Sequence, residues 1–120
     1  MAGDEVNFDG ISAVTVFTVD MAVAVSFYRA LGFELRYGGE AAPFTSFHVG
    51  SGFLNLMRGD PPGRLWGRTI IHVSDVDAMY RRAVDAGLSP EAAPADAPWG
   101  ERYFHIQDPD GNELSFARPL

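Results

Sequence analysis

The sequence predicts an α+β fold made of two tandem β-α-β-β-β modules, which form a curved mixed sheet around a central cavity. The first observation behind this prediction is a pair of matching helix boundaries. Asp20 and Gly32 bracket one predicted helix, and Asp75 and Gly87 bracket another, each pair twelve residues apart. The two helices are offset by 55 residues along the chain. A fixed offset of this kind indicates a duplicated structural unit.

The second observation is that the strands after each helix repeat in the same order. Residues 47–49 (FHV) return as residues 104–106 (FHI), and residues 54–56 (LNL) return as residues 114–116 (LSF). Two amphipathic helices often look alike by chance, but strands that match in order do so much less often. The repeat therefore predicts one domain, residues 1–120, built from two modules.

Module 1 is predicted to span about residues 8–58. Alternating β-branched and aromatic residues predict a first strand at 11–19. Asp20 then supplies a helix N-cap, and Gly32 supplies the residue that ends the helix. Three further strands are predicted at 33–37, 44–49 and 53–57.

A linker is predicted at about residues 59–66, where prolines and glycines exclude regular structure. Module 2 follows at about 67–120 and repeats the plan, with its helix between Asp75 and Gly87. Its strands are predicted at 69–73, within the Ala- and Pro-rich segment 90–98 as a short or irregular strand, at 103–107 and at 113–117.

Strand alternation gives each sheet a more apolar face, which the helix of that module should cover. A core made by these faces is the simplest way for both modules to bury their apolar side chains. The predicted core residues are Val14, Val16, Phe47, Val49, Leu54, Leu56, Ile71, Val73, Phe104, Ile106, Leu114 and Phe116.

The opposite faces mix aromatic and polar side chains, which suits a small-molecule pocket with apolar walls and a few orienting groups. The alternative is that these faces meet water or another subunit. Trp99 precedes a strand, where it could stack on a planar or cationic ligand at the pocket rim or instead pack at the end of a sheet or in a dimer interface. The predicted ligand-binding residues are Phe17, His48, Asn55, Met57, Arg68, His72, Trp99, Tyr103, His105 and Ser115.

Two motifs resemble the vicinal oxygen chelate superfamily, which includes glyoxalase I, bleomycin-resistance proteins, fosfomycin-resistance enzymes and extradiol dioxygenases. The motifs are residues 20–33 (DMAVAVSFYRALGF) and residues 98–116 (PWGERYFHIQDPDGNELSF). Together they are specific for the superfamily, and the resemblance covers nearly the whole chain. It implies the fold more strongly than the activity, because this superfamily supports several chemistries.

Enzymes of that superfamily hold a divalent metal ion through four side chains, and the resemblance places these positions on Ala13, Asn55, Arg68 and Ser115. Alanine has no donor atom, and arginine offers only N–H groups. Serine and asparagine are weak neutral ligands for the metals concerned. The sequence therefore predicts no metal site and no cofactor.

The character of the site then resembles bleomycin-resistance proteins, and we expect a protein that sequesters an antibiotic or metabolite without metal or catalysis. The net charge of −7 favours cationic ligands, although acidity also serves solubility. An enzyme remains the alternative, a glyoxalase- or dioxygenase-like lyase, isomerase or transferase with relocated metal ligands or histidine acid–base chemistry. Its candidate catalytic residues are His72, His105 and Glu113.

Composition and charge also bear on partners and location. The acidic chain disfavours nucleic acid, since it repels phosphates, and no apolar run is long enough to cross a membrane. The chain has no cysteine and an acidic N-terminus without the features of a signal peptide. These observations predict a cytoplasmic protein. Open sheet faces and the resemblance together predict a homodimer with twofold symmetry.

Overall fold

The computed structural model describes residues 11–60 and 68–120, which form eight strands and two helices. Most of the predicted linker at 59–66 and the predicted start of module 1 lie outside the described residues. The elements in chain order are β1 (Ala13–Thr18), α1 (Met21–Ala30), β2 (Glu34–Tyr37), β3 (Phe44–Val49), β4 (Gly52–Arg58), β5 (Arg68–His72), α2 (Val76–Asp85), β6 (Ala95–Asp96), β7 (Glu101–Gln107) and β8 (Glu113–Pro119).

The strands form two four-stranded mixed sheets with the same connectivity. Sheet 1 has the order β1-β4-β3-β2, and sheet 2 has the order β5-β8-β7-β6. In each sheet the first strand pairs parallel with the last strand of its module, and the other pairs are antiparallel. The predicted α+β class with tandem β-α-β-β-β modules is therefore confirmed.

Both helices begin at the aspartates that the sequence predicts. The carboxylate of Asp20 accepts a hydrogen bond from the Val23 amide at 3.2 Å, and that of Asp75 accepts one from the Ala78 amide at 2.9 Å. These bonds satisfy amides that a helix leaves unpaired in its first turn. Gly32 follows α1 with a φ of +95°, a backbone conformation in which a side chain is strained.

The helices cover the apolar faces of the sheets, as predicted. Eight of the twelve predicted core residues belong to one buried cluster that also includes the buried side chains of both helices, and the other four pack against it. Four of the twelve, Val14, Val49, Ile71 and Val73, are only partly buried at its edges. The two modules thus share one hydrophobic core.

A buried polar network joins the two modules, and it is built from the two motifs that carry the family resemblance. The hydroxyl of Tyr28 on α1 donates to Asp108 Oδ2 at 2.8 Å, and both residues are buried. Asn112 Nδ2 donates to the same oxygen at 2.9 Å and to the Phe17 carbonyl at 3.1 Å. Asp108 Oδ1 accepts the amides of Asp110 and Asn112. The turn before β8 is thereby fixed to module 1.

Candidate functional site

The structure divides the ten predicted ligand-binding residues between two sheet faces that the helices leave uncovered. Four lie on sheet 1 and six on sheet 2 or its edge. Sheet 1 carries Phe17, His48, Asn55 and Met57, and sheet 2 carries Arg68, His72, Tyr103, His105 and Ser115, with Trp99 in the turn before β7.

The middle of the sheet 1 face is polar. Asn55 lies beside Thr15 on one side and Ser46 on the other. Its amide nitrogen donates to Thr15 Oγ1 at 3.2 Å, whereas its carbonyl oxygen is buried without a hydrogen-bond partner among the described residues. A buried acceptor without a donor is costly. Asn55 thus leaves an unsatisfied polar atom in the middle of this face.

Aromatic and cationic groups border this polar patch. His48 packs against Phe53 with ring centroids 5.8 Å apart. The guanidinium of Arg36 lies 4.1 Å from the centre of the Phe53 ring and donates a hydrogen bond to Ser46 Oγ at 3.4 Å. Arg36 was not among the predicted site residues, and a register shift in β2 between Leu35 and Tyr37 interrupts the alternation from which its face could have been assigned.

Sheet 2 carries a row of three aromatic rings, which we call the aromatic ladder: Trp99, Tyr103 and His105. The Trp99 and Tyr103 rings are stacked with centroids 5.8 Å apart, and the Tyr103 and His105 rings follow at 4.9 Å. Tyr103 and His105 are alternate residues of β7 and therefore project from the same face. Trp99 is 68% exposed, so its ring offers a large apolar surface to a ligand.

Glu101 supports the exposed end of the aromatic ladder. Its carboxylate accepts a hydrogen bond from Trp99 Nε1 at 2.9 Å and lies 3.4 Å from His72 Nε2. Glu101 was not among the predicted site residues, because β7 was predicted to begin at residue 103. The alternation of β7, continued one step back from Tyr103, would have found it.

A charged cluster lies at the other end of the sheet 2 face and comprises Arg68, Glu91, His105 and Glu113. Nε and Nη2 of Arg68 each lie 2.7 Å from Glu113 Oε2, and Glu113 is only 8% exposed. Glu91 joins from the segment before β6, where its amide donates to the His105 carbonyl at 2.9 Å. Nothing in the Ala- and Pro-rich sequence around Glu91 marked it as a site residue.

The acids of the charged cluster influence each other. A side-chain hydrogen bond with Glu113, together with partial burial, raises the pKa of Glu91. Burial also acts to raise the pKa of Glu113, but hydrogen bonds from Glu91 and Arg68 outweigh it and lower that pKa. The two pKa shifts have opposite directions, so Glu113 releases its proton at a lower pH than Glu91 does.

His105 connects the charged cluster to the aromatic ladder. Burial and the nearby Arg68 charge lower the pKa of His105, so its imidazole is neutral at neutral pH. Its Nδ1 atom is buried and has no hydrogen-bond partner among the described residues. His105 thus places an unsatisfied polar atom between the charged cluster and the aromatic ladder.

The residues at the superfamily's metal positions do not fit a metal ion. Ala13 and Arg68 have no lone pair to offer, and Ser115 is 4% exposed. Within residues 11–60 and 68–120, no three His, Asp or Glu side chains come together in an arrangement that could hold one. We therefore derive no chemistry through a metal.

A separate cleft of about 490 Å³ lies between β1 and β5, the first strands of the two modules. Its walls are mostly apolar, and it contains Arg68 from the charged cluster. The lining residues are Ile11, Ser12, Ala13, Val14, Val49, Ser51, Gly52, Phe53, Leu54, Arg68, Thr69, Ile70 and Ile71.

The chain belongs to the Glyoxalase/Bleomycin resistance protein/Dioxygenase superfamily, because the sequence model of that family matches residues 10–116. An uncharacterized protein of Mycobacterium bovis is 32% identical to this chain over a match that covers 84% of this chain and 78% of that protein. The predicted family resemblance is confirmed.

Two solved structures share the fold. A bleomycin-binding protein complexed with bleomycin superposes with a TM-score of 0.76 at 21% identity, over 94% of this chain and 100% of that one. Lactoylglutathione lyase from Agrobacterium tumefaciens superposes with a TM-score of 0.76 at 20% identity, over 91% of this chain and 92% of that one. One neighbour is thus named for binding and the other for catalysis, so the fold does not choose between these functions. In the described part of the chain, neither helix has the length and apolar character of a membrane span.

Proposed function

We propose that this protein binds a planar small molecule, an antibiotic or metabolite, without a metal ion and without converting it. The observation that carries the proposal is the aromatic ladder. Three rings in succession, ending at a largely exposed tryptophan, form a surface that suits the face of a conjugated ring system. Offset stacking of this kind adds about 0.5–1.5 kcal/mol per ring pair beyond the apolar area buried.

The charges near the ladder favour a cationic ligand. Glu101 lies next to the exposed tryptophan, and the chain carries a net charge of −7. A cation bound over the Trp99 ring would meet both the ring's negative face and this carboxylate. One structural neighbour is a bleomycin-binding protein in complex with bleomycin, which supports bleomycin as the first ligand to test.

We also propose that two copies form a homodimer through the uncovered sheet faces. Phe17 and Met57 on sheet 1 are 39% and 40% exposed, and Ile70 on sheet 2 is 59% exposed. Three large apolar side chains on open faces favour association with a second copy. A ligand on the ladder would then be enclosed by the partner subunit.

Titration of the full-length protein with bleomycin by isothermal calorimetry tests the binding proposal. We expect saturable binding that falls by about tenfold or more in Trp99→Ala, because the exposed ring of the ladder is lost. Tyr37→Ala is the matched control, since Tyr37 is an exposed aromatic residue on sheet 1, away from the ladder. Calorimetry is preferred to fluorescence because Trp99 is one of only two tryptophans.

Two results would contradict the proposal. One is the absence of saturable binding to bleomycin and to other planar cationic antibiotics. The other is equal affinity of the wild type and Trp99→Ala, which would place any bound drug away from the ladder. Glu101→Gln separates charge from stacking, because it should weaken binding of a cationic drug more than binding of a neutral planar one.

Acid–base catalysis is a second candidate function, favoured by His105. One imidazole nitrogen, which has no hydrogen-bond partner within residues 11–60 and 68–120, lies near a carboxylate and a guanidinium, a combination that can move a proton and stabilise negative charge. Turnover in a lactoylglutathione lyase assay without added metal, with a pH profile that disappears in His105→Gln, would establish this function. Inactivity in that assay, with tight drug binding, would favour the binding protein.

A further inference from the structure

We propose that the cleft between β1 and β5 is a second binding site, which takes an apolar small molecule ending in a carboxylate, and that Arg68 recognises this group. The cleft's volume of about 490 Å³ lies within the range of about 300–1,000 Å³ typical of small-molecule sites. Most of its walls are the side chains of valine, leucine, isoleucine and phenylalanine.

Arg68 is the one charged side chain among the described residues that line the cleft. Its side chain is 41% exposed, whereas its partner Glu113 is 8% exposed and does not line the cleft. A molecule that enters therefore meets the guanidinium rather than the carboxylate that neutralises it. An apolar site with a single cationic donor suits a ligand with an apolar body and an anionic end.

The bond to Glu113 prepares Arg68 for this role. Both Nε and Nη2 of Arg68 lie 2.7 Å from the same Glu113 oxygen, which fixes the plane of the guanidinium. A guanidinium has five N–H groups, so donors beyond these two remain for a second oxyanion. Because the side chain is already ordered, a ligand carboxylate binds it with little further loss of rotamer freedom.

This arrangement gives a physical role to a residue that does not fit the superfamily's metal positions. Arg68 stands where the resemblance places a metal ligand, and it supplies a fixed positive charge and directed N–H donors instead. A metal ion and a guanidinium can both hold an anionic oxygen, but only the metal requires deprotonated ligands around it. The site keeps the ability to bind an oxyanion without the donor set for a metal.

Calorimetric titrations with 2-naphthoate and with the neutral 2-naphthalenemethanol test this proposal in the full-length protein. We expect the wild type to bind the carboxylate at least about tenfold more tightly than the alcohol, as for a hydrogen-bonded charge. Arg68→Gln should abolish this preference, and Arg68→Lys should keep only part of it. The control is Arg81→Gln, which removes an exposed positive charge from α2 and should leave the preference unchanged.

Glu113→Gln decides the matter if Arg68→Gln does not fold. Its amide oxygen can still accept the hydrogen bonds that order the guanidinium, but the competing negative charge is gone, so naphthoate should bind more tightly than to the wild type. Equal binding of both probes by the wild type, a preference that survives Arg68→Gln, or weaker naphthoate binding by Glu113→Gln would each overturn the proposal. Trp99→Ala should leave the preference intact, which separates this site from the aromatic ladder.

Discussion

Removing a single oxygen atom from Tyr28 should destabilise the protein, because that hydroxyl belongs to the network that joins the modules. In Tyr28→Phe, Asp108 Oδ2 loses the donor that lies 2.8 Å away, while its bond from Asn112 remains. A hydrogen bond to a charged group contributes about 1.5–3 kcal/mol, so we expect a loss of about 2 kcal/mol in the free energy of unfolding. For 120 residues, an unfolding entropy of about 250 cal/mol/K converts this loss to about 8 °C in Tm.

Thermal unfolding followed by circular dichroism measures this shift, with Tyr37→Phe as the matched control. Tyr37 is 64% exposed, so losing its hydroxyl should change Tm by less than about 2 °C. A Tm for Tyr28→Phe within that margin of the wild type would refute the role assigned to the network.

The same network predicts how stability depends on alkaline pH. Burial and the Asp108 carboxylate raise the pKa of Tyr28 well above its ordinary value of 10. The unfolded chain therefore loses this proton near pH 10 while the folded chain retains it, and stability falls as the pH rises through that range. Tyr28→Phe should show a shallower decline above pH 10, and an identical decline would contradict the assignment.

Four further predictions concern turns, caps, titration and assembly. Gly38→Ala should destabilise more than Gly111→Ala, because both have positive φ but only the new Cβ at Gly38 collides with β3; equal Tm values would contradict this. Asp75→Ala should lower the free energy of unfolding in urea by about 1 kcal/mol, and Asp75→Asn should lower it much less because asparagine can still accept the cap bond. Equal losses in the two variants would contradict the role of that bond. The free energy of unfolding should decrease as the pH drops below 6.5, the ordinary pKa of histidine, because the unfolded chain binds a proton on His105 that the folded chain does not. His105→Gln should make this decrease smaller. Sedimentation should give twice the 13.1 kDa chain mass, and Ile70→Glu should reduce it, whereas a wild-type monomer would refute the dimer.

The fold was predictable from the sequence because its signals are local and occur twice. Asp20 and Asp75 cap helices in the structure as the sequence predicts, and alternation placed the core residues of both sheets. Even the short strand in the Ala- and Pro-rich segment was expected, and β6 has two residues. The meeting of Tyr28 with Asp108 could not be derived from spacing, because 80 residues separate them.

The candidate site was harder to predict, since it depends on which side chains meet across strands and loops. Alternation placed Tyr103 and His105 on one face correctly but could not show that Trp99 continues their row from a turn. Glu91 reaches the charged cluster from an irregular segment, where no periodicity exists to assign a face. The cleft between β1 and β5 depends on how the modules pack, which neither repeat specifies alone.

The most direct test of the central claim is whether drug binding depends on a metal ion. Bleomycin should be titrated into protein treated with EDTA and dialysed, and into the same protein supplied with zinc or nickel. Metal-free binding on the aromatic ladder predicts the same dissociation constant in both samples and a loss of affinity in Trp99→Ala. Binding that disappears with EDTA and returns with a stoichiometric metal ion would contradict the account.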